Sequence, residues 1–203
     1  MANTTPIARS QISIDGPTAV IDGWELSTRT STAALTLRDE SHLTKVVIRS
    51  SDGASVAASM PANGTARHVG STLQIGSAPS EWYLMAQGAS PASLVEGLDI
   101  PGTNGYSAWP DVTHGRALMR LTGADSANML AKLCSINLAD KVTPNGRAFR
   151  TSIAGVNTDI IRDDTNTGRS YLLHVERSSG QYMFDALLDA GIEFGIEPVG
   201  AGA

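Results

Sequence analysis

Apolar positions recur along the chain with two different periods, and the elements they predict become more regular beyond about residue 105. In the first half, short runs at 23–28, 43–49, 72–75 and 82–86 read as strands. In the last of these, Trp82, Leu84 and Ala86 alternate with Tyr83 and Met85, so both faces are expected to be covered. Ser90-Pro91 then offers an N-cap followed by proline at the first helical position, where a missing N–H breaks no helical bond. Leu94, Val95 and Leu98 form the stripe of that short helix. Residues 1–20 contain Pro6, Gly16 and Pro17 with little periodicity and are expected to be an N-terminal arm. Gly, Pro, Asn and Ser crowd 99–110, which divides two expected subdomains, 21–104 and 105–203.

The second half reads β-α-β-β-β-α. Ala117, Met119 and Leu121 share one face of a strand, with Arg116 and Arg120 on the other. Thr122-Gly123 turns into a helix over 125–134, where Ala127, Leu130, Leu133 and Cys134 keep helical spacing. Strands at 148–153, 156–162 and 171–175 follow, the last two joined by a polar hairpin at 163–169. In the final helix Met183, Ala186, Leu187 and Ala190 make one stripe, Ser178 and Gln181 fit a capping box, and Gly191 is the stop signal. A terminal strand is expected near 194–196. This order predicts an α+β fold of two sheet-plus-helix subdomains, antiparallel sheets with helices on one side.

Composition narrows the function. Charged residues are only 17% of the chain and the net charge is −5. Neither half has the basic excess that a phosphate backbone requires, and nucleic acid is not an expected partner. A single cysteine, Cys134, excludes an intrachain disulfide and a cysteine-cluster metal site. No run is apolar enough for a signal peptide or a membrane span, which predicts a cytoplasmic protein without membrane contact.

The chain has no G-x-G-x-x-G, P-loop, H-E-x-x-H or G-x-S-x-G. His42, His68, His114 and His174 lack ligand spacing; His174 reads as a packed strand residue and His114 as a surface one. Cys134 reads as a buried free thiol. The loop from Asp163 to Gly168 lacks the glutamate a calcium loop requires and is expected to be a solvated hairpin. Trp82 is placed in the core. No catalytic, cofactor-binding or metal-binding residue is assigned.

Four segments carry a resemblance. They are Leu37-Arg38-Asp39-Glu40-Ser41-His42-Leu43-Thr44-Lys45-Val46, taken as a strand signature, and Ile75-Gly76-Ser77-Ala78-Pro79-Ser80-Glu81-Trp82-Tyr83-Leu84. The third is Asp111-Val112-Thr113-His114-Gly115-Arg116 leading into 121–130, and the fourth is 146–151 followed by 171–175. In this order the chain resembles the gamma-subunit family of heterotetrameric sarcosine oxidases. More distantly, its second half is similar to the folate-binding core of the glycine-cleavage aminomethyltransferases. The glycine turn that carries an acid pair in those transferases reads Ala154-Gly155-Val156-Asn157-Thr158-Asp159 here, keeping only the second acid.

The resemblance implies a non-catalytic structural subunit of a complex with alpha, beta and delta partners. Such a complex demethylates sarcosine to glycine with formation of hydrogen peroxide, and the one-carbon unit passes to tetrahydrofolate as co-substrate. FAD, FMN, NAD and zinc are expected in the partner subunits and none in this chain. A stand-alone folate-dependent transferase and a folate-binding accessory protein are the alternative readings. Strand alternation puts Thr158 with Val156 and Ile160 toward the core, and Asp159 with Asn157 on a surface or interface.

Overall fold

The computed structural model describes residues 6–51, 56, 58–98 and 106–202. The chain enters through β1 (Ala8–Arg9), β2 (Thr18–Ile21) and β3 (Trp24–Ser27), which form a small three-stranded sheet. β4 (Leu35–Asp39) and β5 (Thr44–Ser50) follow, then β6 (Ala66–Val69), β7 (Thr72–Ala78) and β8 (Glu81–Ala86). Helix α1 (Pro91–Val95) and β9 (Ser107–Ala108) lead to β10 (Arg116–Thr122) and α2 (Ser126–Leu130). The remainder is β11 (Ala148–Ile153), β12 (Val156–Arg162), β13 (Ser170–Glu176), α3 (Gly180–Gly191) and β14 (Ile196–Val199).

Two larger sheets dominate, ordered β11-β12-β13-β10-β4-β14 and β6-β7-β8-β5-β9. Both are antiparallel apart from β14 beside β4. β4 from the first half inserts beside β10, and β9 from the second half joins β5, so the sheets exchange strands across the 104/105 boundary. β2, within the segment read as an arm, pairs with β3. Segment 37–46, read as one strand, is a strand, a turn and a second strand in a different sheet.

Alternation on the central strands creates three apolar layers. Leu35, Leu37, Ala117, Met119, Leu121, Ile160 and Leu173 face Met183, Phe184 and Leu187 of α3. Leu118, Ile161 and Leu172, from the opposite face of the same strands, meet Val47, Leu73, Ile75, Tyr83 and Met85 of the other sheet. Val46, Ile48, Trp82 and Leu84 cover the outer face of that second sheet with Leu94 of α1. Trp82 is in the core as expected, and its Nε1 donates to the Pro61 carbonyl at 3.1 Å. Thr122-Gly123 turns the chain as read, and only glycine suits it. Gly123 has φ +145°, and a Cβ there would sit 2.3 Å from the Ala34 carbonyl oxygen.

Two local readings are corrected. The Ser178/Gln181 capping box does not form, because α3 begins at Gly180 behind a 3-10 turn over Arg177–Ser179. Gln181 instead accepts from the Ser13 backbone N–H at 2.7 Å and donates to Asp185, a tertiary use of the side chain. Helix 125–134 is shorter than predicted, α2 ending at Leu130 with further turns to Leu133.

Candidate functional site

The acid that survives from the transferase motif lies between the two large sheets. On β12, Thr158 is buried on the helix side as read, but Asp159 is only 7% exposed, which corrects the surface assignment. The face it shares with Asn157 is roofed by β7 and β8, strands distant in sequence from β12. Cross-strand register then sets a row over the six-stranded sheet: Arg150 opposite Asp159, Asp159 opposite His174, and His174 opposite Leu118.

Arg150 holds Asp159 from two directions, Nε to Oδ1 at 2.6 Å and Nη2 to Oδ2 at 3.2 Å. The same Nη2 reaches across to Ser77 Oγ at 3.2 Å and Glu81 Oε1 at 3.3 Å, tying one sheet to the other. Glu81 also accepts from Arg49 Nε at 2.8 Å. Burial acts to raise the Asp159 pKa, but His174 and Arg150 more than offset it and hold the carboxyl below its ordinary value. His174 Nδ1 stands 3.7 Å from Asp159 Oδ2, beyond hydrogen-bond reach, so the Arg150 fork is the firmer hold.

His174 is fully enclosed, with neither ring nitrogen bonded and its ring edge-on to Tyr83 at 4.9 Å between centroids. Desolvation pushes its pKa down to about 4 against the pull of Asp159, so the ring is neutral at pH 7. Its reading as a packed residue holds. A void of about 10 Å³ beside Asp159 and His174 has room for a single water at most. The cluster therefore fixes a carboxylate and a neutral imidazole in place without space for a reacting molecule. A folate ring does not fit at Asp159 in this arrangement.

A second polar cluster escaped the sequence reading. Arg120 Nε donates to Glu40 Oε1 at 2.8 Å and Nη2 to Asp163 Oδ2 at 2.9 Å, with Nη1 on Ser170 Oγ at 3.2 Å. His68 Nε2 meets Asp163 Oδ1 at 2.7 Å. The placement of Arg116 and Arg120 on one strand face was its sole sequence signal. The 163–169 hairpin is accordingly not simply solvated: Asp163 is buried in this network, and Asp164 is paired with Arg162 at 3.0 Å. Lys45 is also fully buried, its Nζ donating to the carbonyls of Ser41 (2.7 Å) and Leu43 (2.6 Å). Burial lowers its pKa to about 7.

Other candidates stay apart. His114 is exposed and stacks on Trp24 at 4.8 Å, while Cys134 is half-buried against the helix-side core. Among the described residues no group of His, Cys, Asp and Glu has the arrangement of a metal site. Among them, too, no helix is long and apolar enough to cross a membrane.

Two face-packed antiparallel sheets with few helices make this an aminomethyltransferase-type α+β fold. A family model described as the GCVT N-terminal domain matches residues 77–203, more than half of the chain, and the chain belongs to that family. Among solved structures it is similar to a chain of the heterotetrameric sarcosine oxidase from Corynebacterium sp. U-96 in complex with pyrrole 2-carboxylate. That match has 25% identity and a TM-score of 0.66, covering 84% of this chain and 90% of the other. It is also similar in fold to the glycine cleavage system aminomethyltransferase T from Bartonella henselae, at 16% identity and a TM-score of 0.67. There it covers 92% of this chain and 56% of the transferase, so the chain spans little more than half of that protein. Comparison with curated proteins gave no match.

Proposed function

We propose that the chain is a non-catalytic, gamma-type subunit that braces a cytoplasmic heterotetrameric sarcosine oxidase against alpha, beta and delta partners. The observation that carries this reading is the nearly full-length match to one chain of such an oxidase at 25% identity. The transferase likeness alone leaves almost half of the transferase without a counterpart. The Arg150 fork on Asp159 supports the same reading, since a general acid or base must meet a substrate proton at hydrogen-bond distance. Here both carboxylate oxygens face Arg150 and the space beside them is closed.

In this role the complex demethylates sarcosine to glycine with hydrogen peroxide as product. FAD, FMN, NAD and zinc belong to the partner subunits, and tetrahydrofolate takes the one-carbon unit as co-substrate of the complex. What this chain contributes is a preformed surface, held by ion pairs within the six-stranded sheet and by the Arg150–Glu81 pair that links it to the second sheet. Expression of the partner subunits with and without the chain tests the proposal. The expected result is loss of the full-sized, active complex when it is omitted, and no flavin absorption in the isolated chain. A fully active complex of unchanged partner composition without it, or a flavin band retained by the chain alone, overturns the bracing role.

A further inference from the structure

Along β4 and just beyond it, Leu35, Leu37 and Asp39 alternate with Thr36, Arg38 and Glu40. The two leucines face α3, which turns Thr36, Arg38 and Glu40 to the side of the sheet that packs on the second sheet. On the strands nearer the centre that side is apolar, with Leu118, Ile161 and Leu172. Over β4 it is open, and polar side chains stand there beside Leu43, Leu73, Met85 and Leu172. A cavity of about 240 Å³ is lined there by Arg38, Glu40, His42, His68, Gln87 and Arg120 among others. A neighbouring hollow of about 560 Å³ shares Arg38, Glu40 and Arg120 with it and continues over Thr36 and Thr122.

The charges in this cleft are unevenly satisfied. Arg120 is fully engaged by Glu40, Asp163 and Ser170. The Arg38 side chain has no hydrogen-bond or ion-pair partner among the described residues. Glu40 spends Oε1 on Arg120, while its Oε2 is buried without a donor, as is Nδ1 of His42. A buried acceptor without a donor is costly, and a donor supplied by a ligand would satisfy it. A simple anion on Arg38 meets the repulsion of Glu40, and a simple cation on Glu40 meets that of Arg38. A ligand carrying both charges satisfies both. Two residues on one strand face stand about 7 Å apart. Neighbouring side chains of opposite sign suit charge-assisted contacts to the two ends of one α-amino acid. The smaller cavity lies below the ~300 Å³ usual for drug-sized ligands, which suits a compact molecule.

We propose that the cleft over β4 binds a small α-amino-acid zwitterion, its carboxylate on Arg38 and its ammonium on Glu40. The site is separate from Asp159, which lies three strands away, about 14 Å at ordinary strand spacing. Binding is read on the 203-residue chain itself and so stands or falls independently of the bracing role. Calorimetric titration with glycine and with alanine is compared with acetate and methylammonium, the two halves of the ligand. The amino acids are expected to bind at least about tenfold more tightly than either half. Glu40→Gln keeps an oxygen for Arg120 but removes the charge, and Arg38→Met removes the guanidinium; each is expected to weaken binding by about tenfold or more. Should Arg38→Met fail to fold, Arg38→Lys, which keeps the charge and loses the fork, is expected to weaken binding in the same direction. No heat from either amino acid up to about 10 mM, equal binding of acetate alone, or undiminished affinity in the variants overturns the proposal.

Discussion

At the scale of single residues, the inter-sheet space stores its charges in two different ways. Asp159 is kept ionised by Arg150, whereas His174 is kept neutral by burial. A histidine whose pKa is lowered on folding binds fewer protons than it does in the unfolded chain. Its stabilising contribution is therefore complete above about 6.5 and is lost as the pH falls toward about 4. A shift from 6.5 to about 4 corresponds to roughly 3 kcal/mol. His174→Leu, close in size and unable to titrate, is expected to lose that slope. Urea unfolding at several pH values between 4 and 7 checks it, and parallel profiles for the two proteins refute it. The opposite side of the row behaves differently. Arg150 is about half exposed, so solvent screens part of what Arg150→Met removes. Asp159 is then left buried without its main partner, and a loss of about 1–2 kcal/mol is expected, read as the shift in urea midpoint at pH 7. Restoration by Asp159→Asn in the same background would trace that loss to the stranded charge.

At the scale of elements, periodic segments with an apolar face were legible and segments governed by distant partners were not. β10 to β13 and α3 match the ranges their apolar patterns predict, since their apolar side chains are buried where those patterns place them. β4 did not show in the alternation, only in the 37–46 signature, because Asp39, bonded to the Ser41 N–H at 2.9 Å, stands where a third apolar residue would complete the pattern. β6 escaped because most of its short length is exposed at a sheet edge. For Asp159 the register was correct and the burial was not, because the cover comes from β7 and β8, some seventy or more residues earlier. Capping shows the same competition. At α1, Ser90 accepts from the Ser93 N–H at 3.1 Å, and Ser93 Oγ accepts from the Ser90 N–H at 3.0 Å. Ser90→Ala is expected to cost about 1 kcal/mol. Ser178→Ala, at the capping box that the sequence suggested and the fold does not use, is expected to cost almost nothing. Equal losses in thermal melts of the two variants would mean that the Ser178 cap forms in solution.

At the scale of the whole molecule, a buried acid in a transferase-type fold invites a catalytic role, and the geometry argues for a structural one. Proton transfer needs a carboxyl whose pKa approaches the working pH and whose oxygen reaches substrate. Asp159 fails on both counts: its pKa lies below the ordinary carboxylate value, and its oxygens are covered by Arg150 in a space of about 10 Å³. The position where a second acid would raise its pKa by like charge holds the neutral Thr158, which points to the helix side and donates to the Val156 carbonyl at 3.0 Å. Asp159→Asn keeps the shape of the side chain and one acceptor for Arg150. In an assembled oxidase containing this chain, sarcosine turnover by the variant is expected to stay within about twofold of wild type, with or without tetrahydrofolate. Loss of a general acid or base costs about 10²–10⁴ in rate, so the two roles are separated by more than any assay error. The expected damage appears elsewhere, as a lower melting temperature of the complex or weaker retention of this chain on gel filtration. A hundredfold fall in turnover with the complex intact would place this chain in the chemistry, with Arg150 acting as a latch that substrate must open.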